Sequence, residues 1–196
     1  MSKALRAFLF LIAMNKFSYF EGGIHQVIPT SNLSLDDAAE RISAPLYKDR
    51  TERIRELYNV YTSDPSKENN RAVMDEKKRL DYCTFAGVFR KRDLSELVEP
   101  SGFACFDIEG ENDDPDDMKH QILRVSNAIW KPRLIFTSPS AKGIKAIFEV
   151  VGDYARYYYN IRLFMWTALK VMTDPTTDMS RACFMCYDPD LWYQKG

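Results

Sequence analysis

The pattern of apolar and polar positions changes near residue 80 and divides the chain into two parts. Residues 1–80 are rich in polar, helix-favouring sequence, and Ser34 or Asp36 can cap a first helix. We therefore predict a mostly helical N-terminal flank at 1–80. From residue 81 the apolar residues cluster in short runs that are typical of strands, which predicts a separate α+β core at 81–196.

The order of elements in 81–196 predicts an RRM-like fold. Strands are expected at 82–89, 103–108, 133–137, 144–151 and 181–187. One helix is expected after Asp114 or Asp116, with Ile129 on its apolar face and Pro132 as its end, and a second along the apolar stripe at 154–172. A short helix is expected at 94–98. This order is typical of a largely antiparallel sheet backed on one face by two helices.

Composition limits the class of protein only weakly. The net charge of the 196 residues is -1, so no global positive field indicates a nucleic-acid partner, although a local basic groove would suffice. An apolar run at 8–12 is too short to span a bilayer and lacks a convincing signal-peptide cleavage site. We interpret it as a core strand or helix, and we expect a cytoplasmic protein with no membrane partner.

The four cysteines are Cys83, Cys105, Cys183 and Cys186, and each lies in a largely apolar stretch. Cys183 and Cys186 form a CxxC pattern, but positions i and i+3 of a strand point to opposite faces and cannot chelate one metal together. We therefore predict buried, unpaired thiols, as expected in a reducing compartment.

Two acids, Asp107 and Glu109, stand at the end of the apolar strand predicted at 103–108. Side chains at i and i+2 of a strand share a face, so both carboxylates project to the same side. Like charges at such a place favour a bound cation, and hard carboxylate oxygens suit Mg²⁺ or Mn²⁺. The alternative is that the strand simply exits into an acidic loop, because more acids follow as far as Asp117.

The segment SPSAKGIK at 138–145 joins two predicted strands. It supplies two hydroxyls and two ammonium groups that can contact a phosphate: Ser138, Ser140, Lys142 and Lys145. Gly143 would let backbone N–H groups approach that phosphate closely. A Walker A loop is excluded, since the spacing differs and a strand follows. Taken alone, the segment is equally well a hairpin with two lysines.

A third segment, TDPTTDMSR at 173–181, places Asp174 just after the second helix and Arg181 at the start of the last predicted strand. Asp174 and Asp178 are equally well turn residues, which is the usual role of Asp in such sequences. All three segments lie beside the ends of predicted strands, where their side chains can converge.

Four stretches resemble the archaeo-eukaryotic primase, or primase-polymerase, superfamily, and more narrowly its VirE N-terminal domain branch. The stretches are TFAGVF at 84–89, FACFDIEG at 103–110, SPSAKGIKAIFEV at 138–150 and DMSRACFMCYDPDLWY at 178–193. The resemblance covers the chain from residue 82 onward. Its most specific parts are the patterns SPSxxGxK and SRxxFxxYDPDL.

The resemblance implies a metal-dependent nucleotidyltransferase. It assigns Asp107, Glu109 and Asp174 as the catalytic carboxylates that hold Mg²⁺ or Mn²⁺. Lys145 stands where many members of the superfamily have a histidine against the phosphates of the incoming nucleotide. The remaining contacts to the triphosphate would come from Ser138, Ser140, Lys142 and Arg181.

The implied reaction is attack of a 3′-hydroxyl on the α-phosphorus of an NTP or dNTP, with pyrophosphate leaving. It would serve replication of a phage or mobile element, on a single-stranded DNA template, with a helicase domain or protein as a further partner. The template would lie across the sheet, and the basic runs at 77–79 and 90–92 are candidate contacts to its backbone.

The sequence departs from the family pattern at two positions; the first keeps the charge of the metal ligand, and the second, the loss of the histidine, favours an alternative function. The acidic pair is Asp-x-Glu where Asp-x-Asp is commoner, and Lys145 replaces the histidine. The alternative is a weak or inactive primase-like module that binds single-stranded nucleic acid or a nucleotide. A third hypothesis is an RRM-like domain that acts through protein contacts; an RNA-recognition module would instead expose aromatics on the sheet, for which Phe103, Phe106, Phe136 and Phe148 are the candidates.

Overall fold

A computed structural model describes residues 15–109, 114–126, 130–150 and 152–195. The apolar run at 8–12 and the expected helix position Ile129 lie outside the described residues. The helices are α1 Leu35–Ser43, α2 Lys48–Ser63, α3 Lys67–Lys77, α4 Pro115–Val125 and α5 Tyr154–Leu169. The strands are β1 Phe17–Phe20, β2 Ser31–Leu33, β3 Tyr82–Thr84, β4 Gly87–Phe89, β5 Leu97–Pro100, β6 Phe103–Glu109, β7 Pro132–Thr137, β8 Gly143–Glu149, β9 Met172–Thr173, β10 Cys183–Phe184 and β11 Trp192–Tyr193.

The main sheet has five strands in the order β11-β7-β8-β6-β9, and its pairs are antiparallel. One face packs against α4 and α5, and the ring of Phe106 stacks on that of Tyr158 with centroids 4.2 Å apart. Asp114 caps α4 through the N–H of Asp116. The predicted α+β fold, with an antiparallel sheet backed by two helices, is confirmed.

The opposite face of the main sheet packs against the N-terminal region. Phe103, Phe136 and Ile147 of the sheet share one buried cluster with residues of that region, including Ile42 and Ile54. The region is helical, as predicted, and Ser34 caps α1 in a capping box with Asp37. Its helices α1 to α3 therefore stabilise the sheet by burying apolar surface against it.

The N-terminal region also contains two strands that the polar pattern did not predict. β1 and β2 join β3 and β10 in a second, four-stranded sheet of order β10-β3-β1-β2. β1 is apolar, short and fully buried, with the sequence FSYF. A buried run of this length carries no periodicity that distinguishes strand from helix, which explains why it was missed.

Several predicted boundaries were wrong for local reasons. The strand expected at 82–89 is split into β3 and β4 by a turn, in which Thr84 Oγ1 donates to the carbonyl of Gly87. The segment at 94–98 forms one turn of 3₁₀ helix and then β5, which pairs with β4. Only β10 pairs within the segment 181–187, and its partner is β3. Helix α4 ends at Val125, well before Pro132.

The four phenylalanines of β6, β7 and β8 in the main sheet are all buried. Phe103, Phe106, Phe136 and Phe148 each have 3% exposure or less. Other elements pack over these side chains on both faces of the sheet, so the described residues offer no open aromatic face of the RNA-recognition type. The path of a template across the sheet stays a prediction. None of the described helices is long and apolar enough to cross a membrane.

Candidate functional site

Asp107 on β6 lies directly opposite Lys145 on β8, and the two side chains form an ion pair. The side chain of Asp107 is 25% exposed and that of Lys145 is 13% exposed. Burial alone would lower the pKa of Lys145, but the adjacent carboxylate of Asp107 outweighs burial and raises this pKa. Lys145 is therefore held in its charged form.

Arg181 joins two carboxylates that are distant in sequence. Its Nη2 donates to Asp174 Oδ2 at 2.8 Å and to Asp107 Oδ2 at 3.4 Å. Asp174 follows β9, and its N–H donates to the carbonyl of Asp107 while its own carbonyl accepts from the Tyr158 hydroxyl. These main-chain bonds hold Asp174 beside β6. The predicted convergence of Asp107, Asp174, Lys145 and Arg181 is thus observed.

Glu109 and Lys142 form a second, more exposed ion pair at the same end of the sheet. Lys142 Nζ donates to Glu109 Oε2 at 2.6 Å, and this hydrogen bond raises the pKa of Lys142. β6 is regular, so Glu109 projects from the same face as Asp107. Tyr58 and Tyr61 of α2 lie close enough to Lys142 to influence its charge.

Lys77, the last residue of α3, is a fourth cation of this site. Burial and then the positive charge of Lys145 lower the pKa of Lys77, whereas Asp107 and Glu109 act in the opposite direction. Within the described residues no carboxylate forms an ion pair with Lys77. In the sequence, Lys77 belongs only to the basic run at 77–79. No local motif marks it, because the packing of α3 against the N-terminal region's core brings it here.

Several polar groups of the hairpin at 138–143 form hydrogen bonds within the hairpin itself. The N–H of Ser138 donates to the carbonyl of Gly143 at 2.8 Å, and the N–H of Gly143 donates to Ser138 Oγ at 3.3 Å. Ser140 is also buried. The two serines therefore lie within the hairpin, and their contact with a nucleotide stays a prediction.

Gly143 is required by the close approach of two strands. A Cβ atom at this position would lie 2.2 Å from the carbonyl oxygen of Ile108 on β6. The absence of a side chain thus lets β8 approach β6, and the N–H that was expected to approach a phosphate is already bonded to Ser138.

Asp188 holds the end of β7, where the hairpin begins, and this role was not predicted from the sequence. Its Oδ2 accepts from the N–H of Thr137, the last residue of β7, at 2.6 Å and from Lys119 Nζ at 2.9 Å. Burial alone would raise the pKa of Asp188, but these two donors outweigh it and hold the pKa below its usual value. The YDPDL pattern was the sequence signal for this role, because a buried acid in such a motif needs a hydrogen-bond donor or a cation as its partner.

Asp178 is a turn residue, as the alternative interpretation allowed. Its carboxylate accepts from the N–H and the hydroxyl of Ser180, and its carbonyl accepts from the N–H of Arg181. Asp174 also forms such a turn through the N–H of Thr176, at 2.9 Å, in addition to binding Arg181. The turn at Asp178 places Arg181 beside the carboxylates of Asp107 and Asp174.

The prediction of unpaired thiols is confirmed, although Cys105 is partly exposed. Cys186 Sγ donates to the carbonyl of Thr137, whereas Cys183 lies on β10 opposite Cys83. The two cysteines of the CxxC pattern therefore contribute to the packing of the core.

Asp107 offers one unused oxygen ligand to a divalent metal ion. The Oδ1 atom of Asp107 is buried and has no hydrogen-bond partner in the described part of the chain, which leaves a hard oxygen ligand unused. Among the described residues, no group of three His, Cys, Asp or Glu side chains is arranged to hold a metal. Each candidate carboxylate is paired with a lysine or arginine instead.

The fold and the site define an α+β domain with a cluster of carboxylates and cations at one end of an antiparallel sheet. A family model described as BT4734-like, N-terminal domain, matches residues 75–193, which is more than half of the chain. The chain therefore belongs to the BT4734-like N-terminal domain family. The matched range includes Lys77 and every other residue of the cluster. No curated protein and no solved structure matches the chain.

Proposed function

We propose that the chain is a nucleotidyltransferase of the primase-polymerase kind, which adds nucleotides on a single-stranded DNA template. The observation that supports this proposal is the convergence of Asp107, Lys145, Asp174 and Arg181 from separate segments on one end of the sheet. Carboxylates beside phosphate-binding cations are the combination that nucleotidyl transfer requires. The resemblance to the VirE N-terminal domain branch of the primases points to the same chemistry.

The cations would bind the triphosphate. Lys145 and Arg181 are partly buried, so their charges are little screened by water, and Arg181 can offer two parallel donors to phosphate oxygens. Lys142 stands further out beside Glu109, where it would contact the outer phosphates. Lys77 adds a positive charge that has no ion-pair partner among the described residues.

The carboxylates of Asp107, Glu109 and Asp174 would hold Mg²⁺ or Mn²⁺. When bound, such an ion lowers the pKa of the attacking hydroxyl and offsets the charge that develops on the phosphoryl oxygens. The new bond forms between the 3′-oxygen and the α-phosphorus, and the bond from that phosphorus to the leaving pyrophosphate breaks. The contribution of the chain itself is to orient the triphosphate and to stabilise the departing pyrophosphate.

Primer extension on a single-stranded DNA template tests the proposal. The purified chain, with Mg²⁺ or Mn²⁺ and either dNTPs or NTPs, should extend a labelled primer, and Asp107→Ala should abolish the extension. Glu149→Ala is the matched control, because Glu149 is an exposed acid of β8 that pairs with Arg133 away from the cluster. Normal extension by Asp107→Ala would rule out the assigned role of this carboxylate.

A second candidate is a nucleotide-binding module without catalysis. It is favoured by one specific observation: each carboxylate of the cluster already pairs with a cation, so the charges balance without a metal. This candidate predicts that a fluorescent triphosphate binds equally well with EDTA and with Mn²⁺. The enzyme predicts that Mn²⁺ tightens binding and that Asp107→Ala removes this effect.

The setting of the reaction follows from the same proposal. The reaction would take place in the cytoplasm, where nucleotides are available and thiols stay reduced, and a helicase domain or protein would supply the single strand. Replication of a phage or mobile element is the process that such a module would serve.

A further inference from the structure

The outer face of α5 exposes a stripe of large apolar side chains. Tyr159 is 61% exposed and Trp166 is 49% exposed, and with Leu163 between them they follow the spacing i, i+4, i+7 of one helix face. Together with Met172 of β9 they line an open cavity of about 290 Å³. Exposed aromatics grouped in this way indicate a binding surface and not a packing face.

The charged residues of α5 and of the segment that leads from it into β9 are all positive. The stretch 154–173 contains Arg156, Arg162 and Lys170 and no acidic residue. Arg162 lines the cavity, and the ammonium of Lys170 lies 5.9 Å from the centre of the Trp166 ring. The Nε of Arg162 is buried and, in the part of the chain that the structure describes, has no hydrogen-bond partner. Aromatic rings flanked by cations complement a polyanion that carries stacking bases.

The cavity lies next to the candidate active site along the chain and along the sheet. Met172 and Thr173 line it and form β9, which pairs with Glu109 and Ile108 of β6. Asp174 is the next residue along the chain. A strand of nucleic acid on this cavity would therefore reach the carboxylates along the sheet edge, and this route avoids both covered faces of the sheet.

We propose that the α5–β9 cavity, lined by Tyr159, Arg162, Leu163, Trp166, Met172 and Thr173, binds single-stranded nucleic acid. Bases stack on Tyr159 and Trp166, and Arg162 and Lys170 neutralise phosphates. The inference rests on the proposed function, because it supplies the path by which the template reaches the same site.

Fluorescence anisotropy of a labelled oligothymidylate, titrated with the intact chain, tests this inference. Tyr159→Ala and Trp166→Ala should each weaken binding by roughly 5- to 150-fold, the range measured for loss of one base–aromatic stack. Trp166→Phe should largely restore binding, since it keeps a ring. Leu46→Ala, which truncates an exposed leucine outside this cavity, should leave binding unchanged. Oligouridylate serves as a second probe that reports the preference for DNA or RNA.

The salt dependence of binding provides an independent readout. Replacing Arg162 and Lys170 together with Gln should reduce the slope of log affinity against log salt by about 1.4, which is twice the single-strand value per phosphate contact. An unchanged slope would overturn the assignment of these two cations.

Failure of this inference is distinguishable from failure of the proposed function. Asp107→Ala should bind the oligonucleotide normally even though it cannot extend a primer, and Trp166→Ala should bind a fluorescent triphosphate normally. Equal oligonucleotide binding by wild type, Tyr159→Ala and Trp166→Ala would overturn the inference. So would sedimentation showing a dimer that Trp166→Ala and Leu163→Ala both dissociate, because the occupant of the cavity would then be a second copy of the chain.

Discussion

Asp107 and Lys145 face each other across β6 and β8, and the carboxylate of Asp107 keeps Lys145 charged at a partly buried position. The pairing of the two strands is in regular register from Phe103 opposite Glu149 to Glu109 opposite Gly143. The ion pair is therefore a cross-strand pair built into the sheet, not a contact between two flexible side chains. A ligand that binds at this site must either break this ion pair or bind to the paired side chains.

Removing either partner of this pair should destabilise the fold. Asp107→Ala leaves the ammonium of Lys145 buried without its carboxylate, and we expect a loss of about 1–3 kcal/mol in the free energy of unfolding. Urea unfolding of Asp107→Ala, Lys145→Met and the double variant measures the coupling, and the double variant should lose less than the sum of the singles. Glu109→Ala is the control, and should cost less than about 1 kcal/mol since its pair is exposed. Strictly additive losses would mean that the two charges are not coupled.

The relation between Asp107 and Glu109 could be predicted from the sequence, but their partners could not. Alternation along a strand is local, so the common face of the two acids follows from their spacing alone. Lys145 meets Asp107 through the register of two strands, which depends on the whole hairpin and on the close approach at Gly143. Lys77 arrives through helix packing between distant segments, for which a single sequence contains no periodic signal.

The fold shows the same division between local and non-local information. The helix caps at Ser34 and Asp114 are local motifs, and both were predicted. β1, by contrast, is short and buried, and it becomes a strand only because it pairs with β2 and β3 in the second sheet. Pairing partners far apart in the chain override the weak local preference of such short segments.

Lys77→Met should stabilise the free protein and weaken triphosphate binding. The pKa of Lys77 is lowered, so its charged form costs free energy at neutral pH, and this cost disappears as the pH rises through the folded-state pKa. We expect the melting temperature at pH 7 to rise by roughly 2–4 °C, equivalent to about 1 kcal/mol, and the gain to fade at alkaline pH. Thermal melts at several pH values and a triphosphate titration check both effects.

The neighbouring residue offers a matched control for this prediction. Lys78 is exposed and pairs with Asp75, so Lys78→Met should change neither stability nor triphosphate binding. A lower melting temperature for Lys77→Met would show that the charge of Lys77 does not destabilise the fold. Triphosphate binding as tight as that of wild type would show that Lys77 does not take part in binding.

Gly143→Ala should disturb the site through the backbone. The added Cβ would lie 2.2 Å from the carbonyl oxygen of Ile108, so β8 must shift away from β6 at the point where Lys145 meets Asp107. We expect a loss of about 2–3 kcal/mol in stability, together with weaker triphosphate binding. Gly22→Ala is the comparison: its φ of 95° makes alanine strained, but nothing lies near the added atom. Gly22→Ala should therefore lose stability while keeping its affinity for triphosphate.

The buried pair of Lys119 and Asp188 should make the protein sensitive to acid. Both side chains are only 6% exposed, and Asp188 holds the end of β7 before the hairpin. Lys119→Met leaves a buried carboxylate without its cation, so we expect a loss of about 3–5 kcal/mol at pH 7. Asp116→Asn is the control: Asp116 also pairs with Lys119, but its side chain is 65% exposed, so the loss should stay below about 1 kcal/mol.

The pH dependence of this loss identifies its cause. The pKa of Asp188 is lowered in the folded protein, so its contribution to stability is present above the unfolded-state pKa of about 3.9 and disappears as the pH falls through the folded-state value. The difference between wild type and Lys119→Met, measured by urea unfolding, should therefore shrink as the pH is lowered from about 5 towards 2. A difference that stayed constant over this range would show that Lys119 stabilises the fold through the packing of its aliphatic chain and not through its charge.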